Sequence, residues 1–236
     1  MRWTLRTLCQ IDFISTDKNL QVNYMKVLEL FSGTGSVCKI CKELGWECYS
    51  VDITDKFYPV DKKIDILKWD YTELNFKPDI IWASPPCQSF SRMLNIHKHI
   101  DIPKRMAEVG LPMLYKAREI IDYFKPKYYF IENPDNGRMK NFITDLPYIR
   151  VCYCRYGYDN KKATRIWTNL ENFDAKWCIH KKHKTHIGMT RMNKSKDKNF
   201  YIRKKEQTVK TPAQKYSIPP DLIRELFSTI STRKMI

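Results

Sequence analysis

The densest chemistry in this 236-residue chain lies in nine residues, Ser84–Arg92 (SPPCQSFSR), where a cysteine directly follows two prolines. Proline fixes its own φ and offers no N–H to a sheet ladder. The apolar run Asp79–Ala83 (DIIWA) must therefore end here, leaving Cys87 at the carboxyl edge of a strand. Ligands bind at that edge in open α/β sheets. A cysteine so placed is either a nucleophile acting as thiolate or a packed, inert thiol; the rigid turn and the polar Gln88, Ser89 and Ser91 favour the nucleophile. In YFIENPDNG (Tyr129–Gly137), Glu132 ends another strand. There it can protonate or hydrogen-bond a ring nitrogen, or simply cap the next turn. The turn Phe31–Gly35 (FSGTG) follows a strand and opens a helix. Its glycines admit close backbone approach, and the helix start offers unpaired N–H groups, which suits a nucleotide-like cofactor. Asp52 ends the second strand, where cofactor ribose hydroxyls are gripped, and Asp70 follows a third. Nucleophile, acid and cofactor turn at one sheet edge fit addition to a heteroaromatic ring and group transfer from the cofactor.

The elements needed to hold these groups alternate along the chain. Short β-rich runs at Lys26–Leu30, Trp46–Asp52, Ile64–Ile66, Asp79–Ala83, Lys127–Ile131, Ile149–Arg155 and Ala163–Asn169 read as strands. Ser36–Leu44, stopped by Gly45, and Met106–Phe124 read as helices. Such alternation predicts βαβ units stacked into a mostly parallel α/β sandwich. Pro219 opens a further helix whose apolar face (Leu222, Ile223, Leu226, Phe227) should pack back on the core.

Charge divides the chain unevenly. Residues 1–150 carry a net +3, residues 151–236 a net +13, and Lys176–Lys205 holds eleven Lys/Arg against Asp197 alone, with Trp177, Phe200 and Tyr201 interleaved. A polyanionic partner explains this better than a solvated basic tail, because each neutralised phosphate releases counterions. The reading divides the chain into an N-terminal extension (1–24), a catalytic and cofactor-binding domain (25–171), a small basic recognition lobe (172–211) and a C-terminal helical segment (212–236). No apolar run reaches the roughly 18 residues of a membrane span, and Asp12, Asp17 and Lys18 break any signal-peptide core. A soluble monomer in the cytoplasm, or wherever its polyanionic partner lies, is expected. Eight unevenly spaced cysteines read as reduced thiols rather than a disulfide framework.

Taken in order, LELFSGTGS, VDI, SPPCQSFSR, FIENP and KKATRIWTN resemble the motifs of the cytosine-5 DNA methyltransferases across roughly Lys26–Asn169, and YSIPPDLIRELF (Tyr216–Phe227) resembles the closing helix of short phage and viral members. The resemblance implies a Rossmann-like, S-adenosylmethionine-dependent class I fold acting on double-stranded DNA, as restriction-modification and viral enzymes do. It places S-adenosylmethionine against Phe31, Ser32, Gly33 and Gly35, with Asp52, Ile53, Asp70, Tyr71 and Pro86 completing its site. Cys87 would attack carbon 6 of a flipped-out cytosine while Glu132 holds ring N3, and Arg165 would anchor the base carbonyl or a phosphate. Gln88, Ser89, Ser91, Arg92, Lys162, Lys181, Lys182 and Lys184 are the nucleic-acid contacts it implies, and Ser89–Leu111 a loop that closes over DNA. An RNA cytosine-5 methyltransferase on the same scaffold is the nearest alternative; a DNA-binding homologue without turnover is another.

The family's Gln-x-Arg-x-Arg pattern is replaced by Lys161-Lys162-Ala163-Thr164-Arg165, so Arg165 matches and Lys162 is a second candidate cation. Cys178, His180, His183 and His186 are ligand types for Zn²⁺, but their tight spacing and basic neighbours favour phosphate-facing side chains and no metal. Cys152 and Cys154, two apart on one strand, read as packing, and Cys38 and Cys41 as buried helix positions.

Overall fold

A computed structural model describes residues 24–96, 99–159, 161–179, 213 and 216–231. The N-terminal extension and most of the basic lobe, with Lys181, Lys182, Lys184 and the three lobe histidines, lie outside the described residues. Seven strands form one sheet in the order β3-β2-β1-β4-β5-β7-β6: β1 Lys26–Leu30, β2 Glu47–Asp52, β3 Lys62–Lys63, β4 Ile80–Ala83, β5 Tyr128–Pro134, β6 Tyr148–Cys152 and β7 Ala163–Thr168. The pairs from β3 through β5 are parallel, and β7 runs antiparallel to both β5 and β6. This is the expected mostly parallel α/β fold.

Among the described residues four α-helices flank it: α1 Ser36–Glu43, α2 Ile102–Arg105, α3 Leu111–Phe124 and α4 Pro220–Ser231. Side chains alternate across a strand, so the buried strands supply two cores. Val27, Ile80, Trp82 and Phe130 face α1 and α4, meeting Val37, Ile40, Leu226 and Phe227. Leu28, Leu30, Ile81, Ala83 and Ile131 face α3 through Leu114, Ala117 and Ile120. Each fully buried Val, Leu, Ile or Phe among them contributes roughly 1.5–3 kcal/mol. Phe227 packs on Trp46 at 5.0 Å between ring centroids, and Arg224 pairs with Glu43, seating α4 on α1.

Local differences from the sequence reading have physical causes. The third strand is Lys62–Lys63, because Asp65 accepts the Leu67 N–H and turns the chain into a 3₁₀ segment. Residues Met106–Gly110 form a π-helical turn leading into α3, where a Cβ on Gly110 would come within 2.9 Å of Ser89 and Phe90. The reduced-thiol reading is corrected at one pair: Cys38 and Cys48 form a disulfide, since the crossover lays α1 over β2 with their Cα atoms 5.3 Å apart. Among the described residues no helix is long and apolar enough to cross a membrane.

Candidate active site

Because β1, β2, β4 and β5 are parallel, their carboxyl ends open onto one cavity of about 600 Å³. Its floor is the turn after β1. Phe31, Gly33 and Gly35 all adopt positive φ, at 57°, 52° and 63°, and for phenylalanine that is a strained backbone held by its surroundings. Tyr58 covers Gly35, where a Cβ would fall 2.3 Å from the ring. Gly35 therefore supports the turn without lining the cavity. Asp52 braces the same turn: Oδ2 accepts the Gly33 N–H (2.9 Å) and Oδ1 the Thr54 N–H (2.9 Å). A carboxylate has about four acceptor sites, so this bracing leaves capacity for ribose hydroxyls.

Glu29 was not singled out from sequence. It points from β1 to the start of α1, where its two oxygens accept the Val37 and Cys38 N–H groups at 3.1 and 3.0 Å. It does the capping that Gly35 cannot. Complete burial pushes its pKa up to about 7, against the lowering effect of those two N–H groups.

The side of the cavity beyond β2 departs from expectation. Ile53, Asp65 and Ile66 line the cavity, whereas Asp70 and Tyr71 stand away from it. Asp70 caps Thr72, and Tyr71 donates to Glu119 (2.7 Å) beneath Lys116. The strand ends three residues earlier than its apolar pattern suggests, at Lys63, so the first carboxylate past it is Asp65. Ile53 is 67% exposed at the mouth, where it presents an apolar surface.

The Pro-Cys turn lies beside this floor. Pro85, Pro86, Cys87 and Gln88 line the cavity, and Asn133 Nδ2 donates to the Pro85 carbonyl (2.9 Å), tying the end of β5 to the turn that carries the cysteine. Burial raises the Cys87 thiol above its usual range; the Glu132 charge raises it further and Lys162 lowers it. Glu132 is buried, with Oε1 held by the Tyr153 hydroxyl at 2.8 Å. Burial and the adjacent Glu132 charge push that phenol well above its ordinary range, so it stays a donor. Tyr153 carried no signal in the sequence.

Two charged candidates exchange places. Arg165 does not reach the cavity: its Nε donates to Asp135 (3.0 Å) and its guanidinium stacks over Tyr148. Lys162 lines the cavity, its Nζ 4.5 Å above the Tyr153 ring. Ser89 is buried against Gly110, unlike the exposed contact expected, while Arg92 is exposed. Arg138 holds this segment down by donating to the Ser91 carbonyl and to Asn95 Oδ1, each at 2.6 Å.

Residues 25–147 match the family model for C-5 cytosine-specific DNA methylases. A probable DNA (cytosine-5)-methyltransferase of Frog virus 3 (isolate Goorha) is 45% identical over 168 residues, covering 66% of this chain and 76% of the viral protein. The type II methyltransferase M.HindV of Haemophilus influenzae is 25% identical over 140 residues, 52% of this chain and 41% of that protein. Among solved structures, the Entamoeba histolytica methyltransferase EhMeth superposes with a TM-score of 0.49 at 16% identity, over 69% of this chain and 58% of its own. S. pombe Dnmt2 gives 0.41 at 18%, over 66% and 53%.

Proposed function

The chain belongs to the C-5 cytosine-specific DNA methylase family and is a DNA (cytosine-5)-methyltransferase, and on that premise we propose the roles of its residues in methylating a flipped-out cytosine. Membership implies use of S-adenosylmethionine, and the cavity suits it. Four carboxyl groups (Glu29, Asp52, Asp65, Glu132) against two lysines (Lys56, Lys162) line a space with apolar walls. That balance favours a cationic ligand with a planar end. Bound S-adenosylmethionine supplies an electrophilic methyl group. The Phe31–Thr34 turn holds its amino-acid end, Asp52 its ribose, and Ile53, Asp65 and Ile66 its adenine.

Cys87 acts as nucleophile on carbon 6 of the base, and Glu132 holds and protonates ring N3, so that electron density gathers at carbon 5. Carbon 5 takes the methyl group as its bond to the donor breaks; water takes the carbon 5 proton, which restores the ring double bond and expels the Cys87 thiolate, and N3 returns its proton to Glu132. Tyr153 positions Glu132. Lys162, the cation beside Cys87, favours the thiolate and faces the base carbonyl in the role first given to Arg165. Gln88 and Arg92 contact the DNA flanking the extruded base, and the basic stretch from Lys176, including Lys181, Lys182 and Lys184, contacts phosphates.

The observation carrying this reading is that Cys87, Glu132 and Lys162 line one cavity with the glycine turn. Labelled methyl transfer to duplex DNA, with transfer RNA in parallel, tests it, together with trapping of the protein on a 5-fluorocytosine duplex. Cys87→Ala should abolish transfer and trapping while cofactor affinity stays within about twofold, because the side chain contributes to bond formation rather than to cofactor binding. Undiminished turnover in that variant overturns the mechanism.

A further inference from the structure

We propose that Cys152, Cys154 and Cys178 form a zinc site that clasps the root of the basic lobe to the edge of the sheet. Strand β6 ends at Cys152, and the chain turns at once into the 3₁₀ segment Tyr153–Arg155. This brings Cys154 back beside it, the two sulfurs 3.1 Å apart. The chain after β7 then returns along the same edge. The Cys152 N–H donates to the Lys176 carbonyl (3.1 Å), the Lys176 N–H to the Tyr156 hydroxyl (3.0 Å), and the Arg150 guanidinium sits 4.4 Å over Trp177. Those contacts deliver Cys178 to the pair, and all three sulfurs lie within 4.8 Å of one another.

Three observations favour a metal over packed thiols. Zn–S bonds of about 2.3 Å in a tetrahedron set sulfurs roughly 3.8 Å apart, and here one pair lies at 3.1 Å with all three sulfurs within 4.8 Å of one another. The cluster uses three of the five cysteines outside the disulfide among the described residues, from segments separated by a whole strand. A single disulfide leaves one of three sulfurs over, whereas a tetrahedral cation takes all. Cys152 is buried while Cys154 and Cys178 are half-buried, so the site is anchored inside and open on one side to an entering ion and a fourth donor.

Charge favours it as well. Three thiolates around Zn²⁺ carry a net negative charge, so the cations adjoining the ligands in sequence, Arg155 beside Cys154 and Lys176 two residues before Cys178, stabilise the loaded site. Basic neighbours oppose a cation held by neutral histidines and favour one held by three thiolates. Soft, sulfur-rich tetrahedral sites select zinc among the abundant divalent cations.

The clasp lies outside the Cys87 cavity and does not rest on the proposed reaction. It fixes the point where the basic stretch leaves the sheet, and it flanks Tyr153, which lies between two of its ligands.

The test is the metal content of the full chain, purified under reducing conditions and dialysed, measured by inductively coupled plasma mass spectrometry. The parent and Cys87→Ser should each retain close to one zinc per chain, and Cys178→Ser at least tenfold less, with circular dichroism confirming that each is folded. Cobalt titration of the parent, which needs no variant, should give the intense charge-transfer absorption of several thiolate ligands. Folded parent that holds no zinc after dialysis against it, equal zinc in Cys178→Ser and the parent, or cobalt spectra without thiolate character each overturn the proposal. So does peptide mapping that finds a Cys152–Cys154 disulfide in place of metal.

Discussion

The parallel and antiparallel parts of the sheet handled the same kind of information differently. In β1, β2, β4 and β5, a polar residue at the end of a strand in sequence stands at the cavity: Asp52, Cys87 and Glu132 line it. In β7 the strand runs the other way, so its amino end lies beside the carboxyl end of β5. Asn133 is opposite Arg165 and Glu132 opposite Ile166. Directly opposed residues share a face. Arg165 therefore lies on the α3 side with Asn133, while the alternation that puts Thr164 and Ile166 on the Glu132 side carries Lys162 there too. Spacing alone gives a residue's position along a strand; direction and parity decide whether it meets the chemistry.

The sharpest way to break this comparison is to remove each cation separately. Lys162→Ala should lower kcat/KM for methyl transfer by about 10²–10³-fold, the usual cost of deleting a charged group that stabilises a reacting centre. Arg165→Ala should leave activity per folded molecule within a few-fold and lower the unfolding midpoint in urea, because buried Asp135 then keeps Arg150 alone. The reverse pattern would restore Arg165 as the base contact.

Glu29 tests the parallel half. Its folded pKa, about 7, lies above its unfolded value near 4.5, so the folded chain binds more protons between those limits. Stability from this group is present below about pH 4.5 and is lost as pH rises to 7, by roughly 3 kcal/mol in all. Glu29→Gln should flatten that decline in urea unfolding measured at pH 5 and 7.5. An unchanged slope would mean that the carboxyl titrates normally. Asp135, held low by Arg150 and Arg165 against the raising effect of its burial, acts with opposite sign and below this window.

The smallest effect comes from Tyr153→Phe. Removing one donor to Glu132 costs about 1 kcal/mol, so kcat should fall roughly 5- to 10-fold. The acidic limb of the pH–rate profile should move, while KM for the cofactor holds. A KM change with an unmoved profile would make Tyr153 merely part of the core.

Much of this was legible in advance because the patterns were local. Two prolines after a β-rich run must end a strand, and FSGTG cannot be regular strand or helix, so Cys87 and the cofactor turn could be placed from their neighbours. Asp65 was missed because Ile64–Ile66 looks like a strand, whereas the Asp65 side chain turns the chain before it becomes one. Glu29 was passed over as an ordinary strand residue. Its role appears only when α1 swings back over β1. Tyr153 left no local trace, since Glu132 is 21 residues away, and the pair Cys152 and Cys154 gave no sign of Cys178, which lies 24 to 26 residues on.

The amino-acid sequence by itself determined the alternation of strands and helices, the glycine turn after the first strand, the positions of Cys87 and Glu132 at strand ends, and a strongly basic final third. Each of these follows from periodicity, backbone restriction or charge within a few residues of chain. Tertiary structure alone decided that Lys162 rather than Arg165 faces the cavity, that Tyr153 holds Glu132, that Cys38 meets Cys48, and that three cysteines from two segments converge at the edge of the sheet. Those outcomes depend on strand direction, face parity and the path of returning segments, which are set by packing the whole sheet and are encoded in no single stretch of residues.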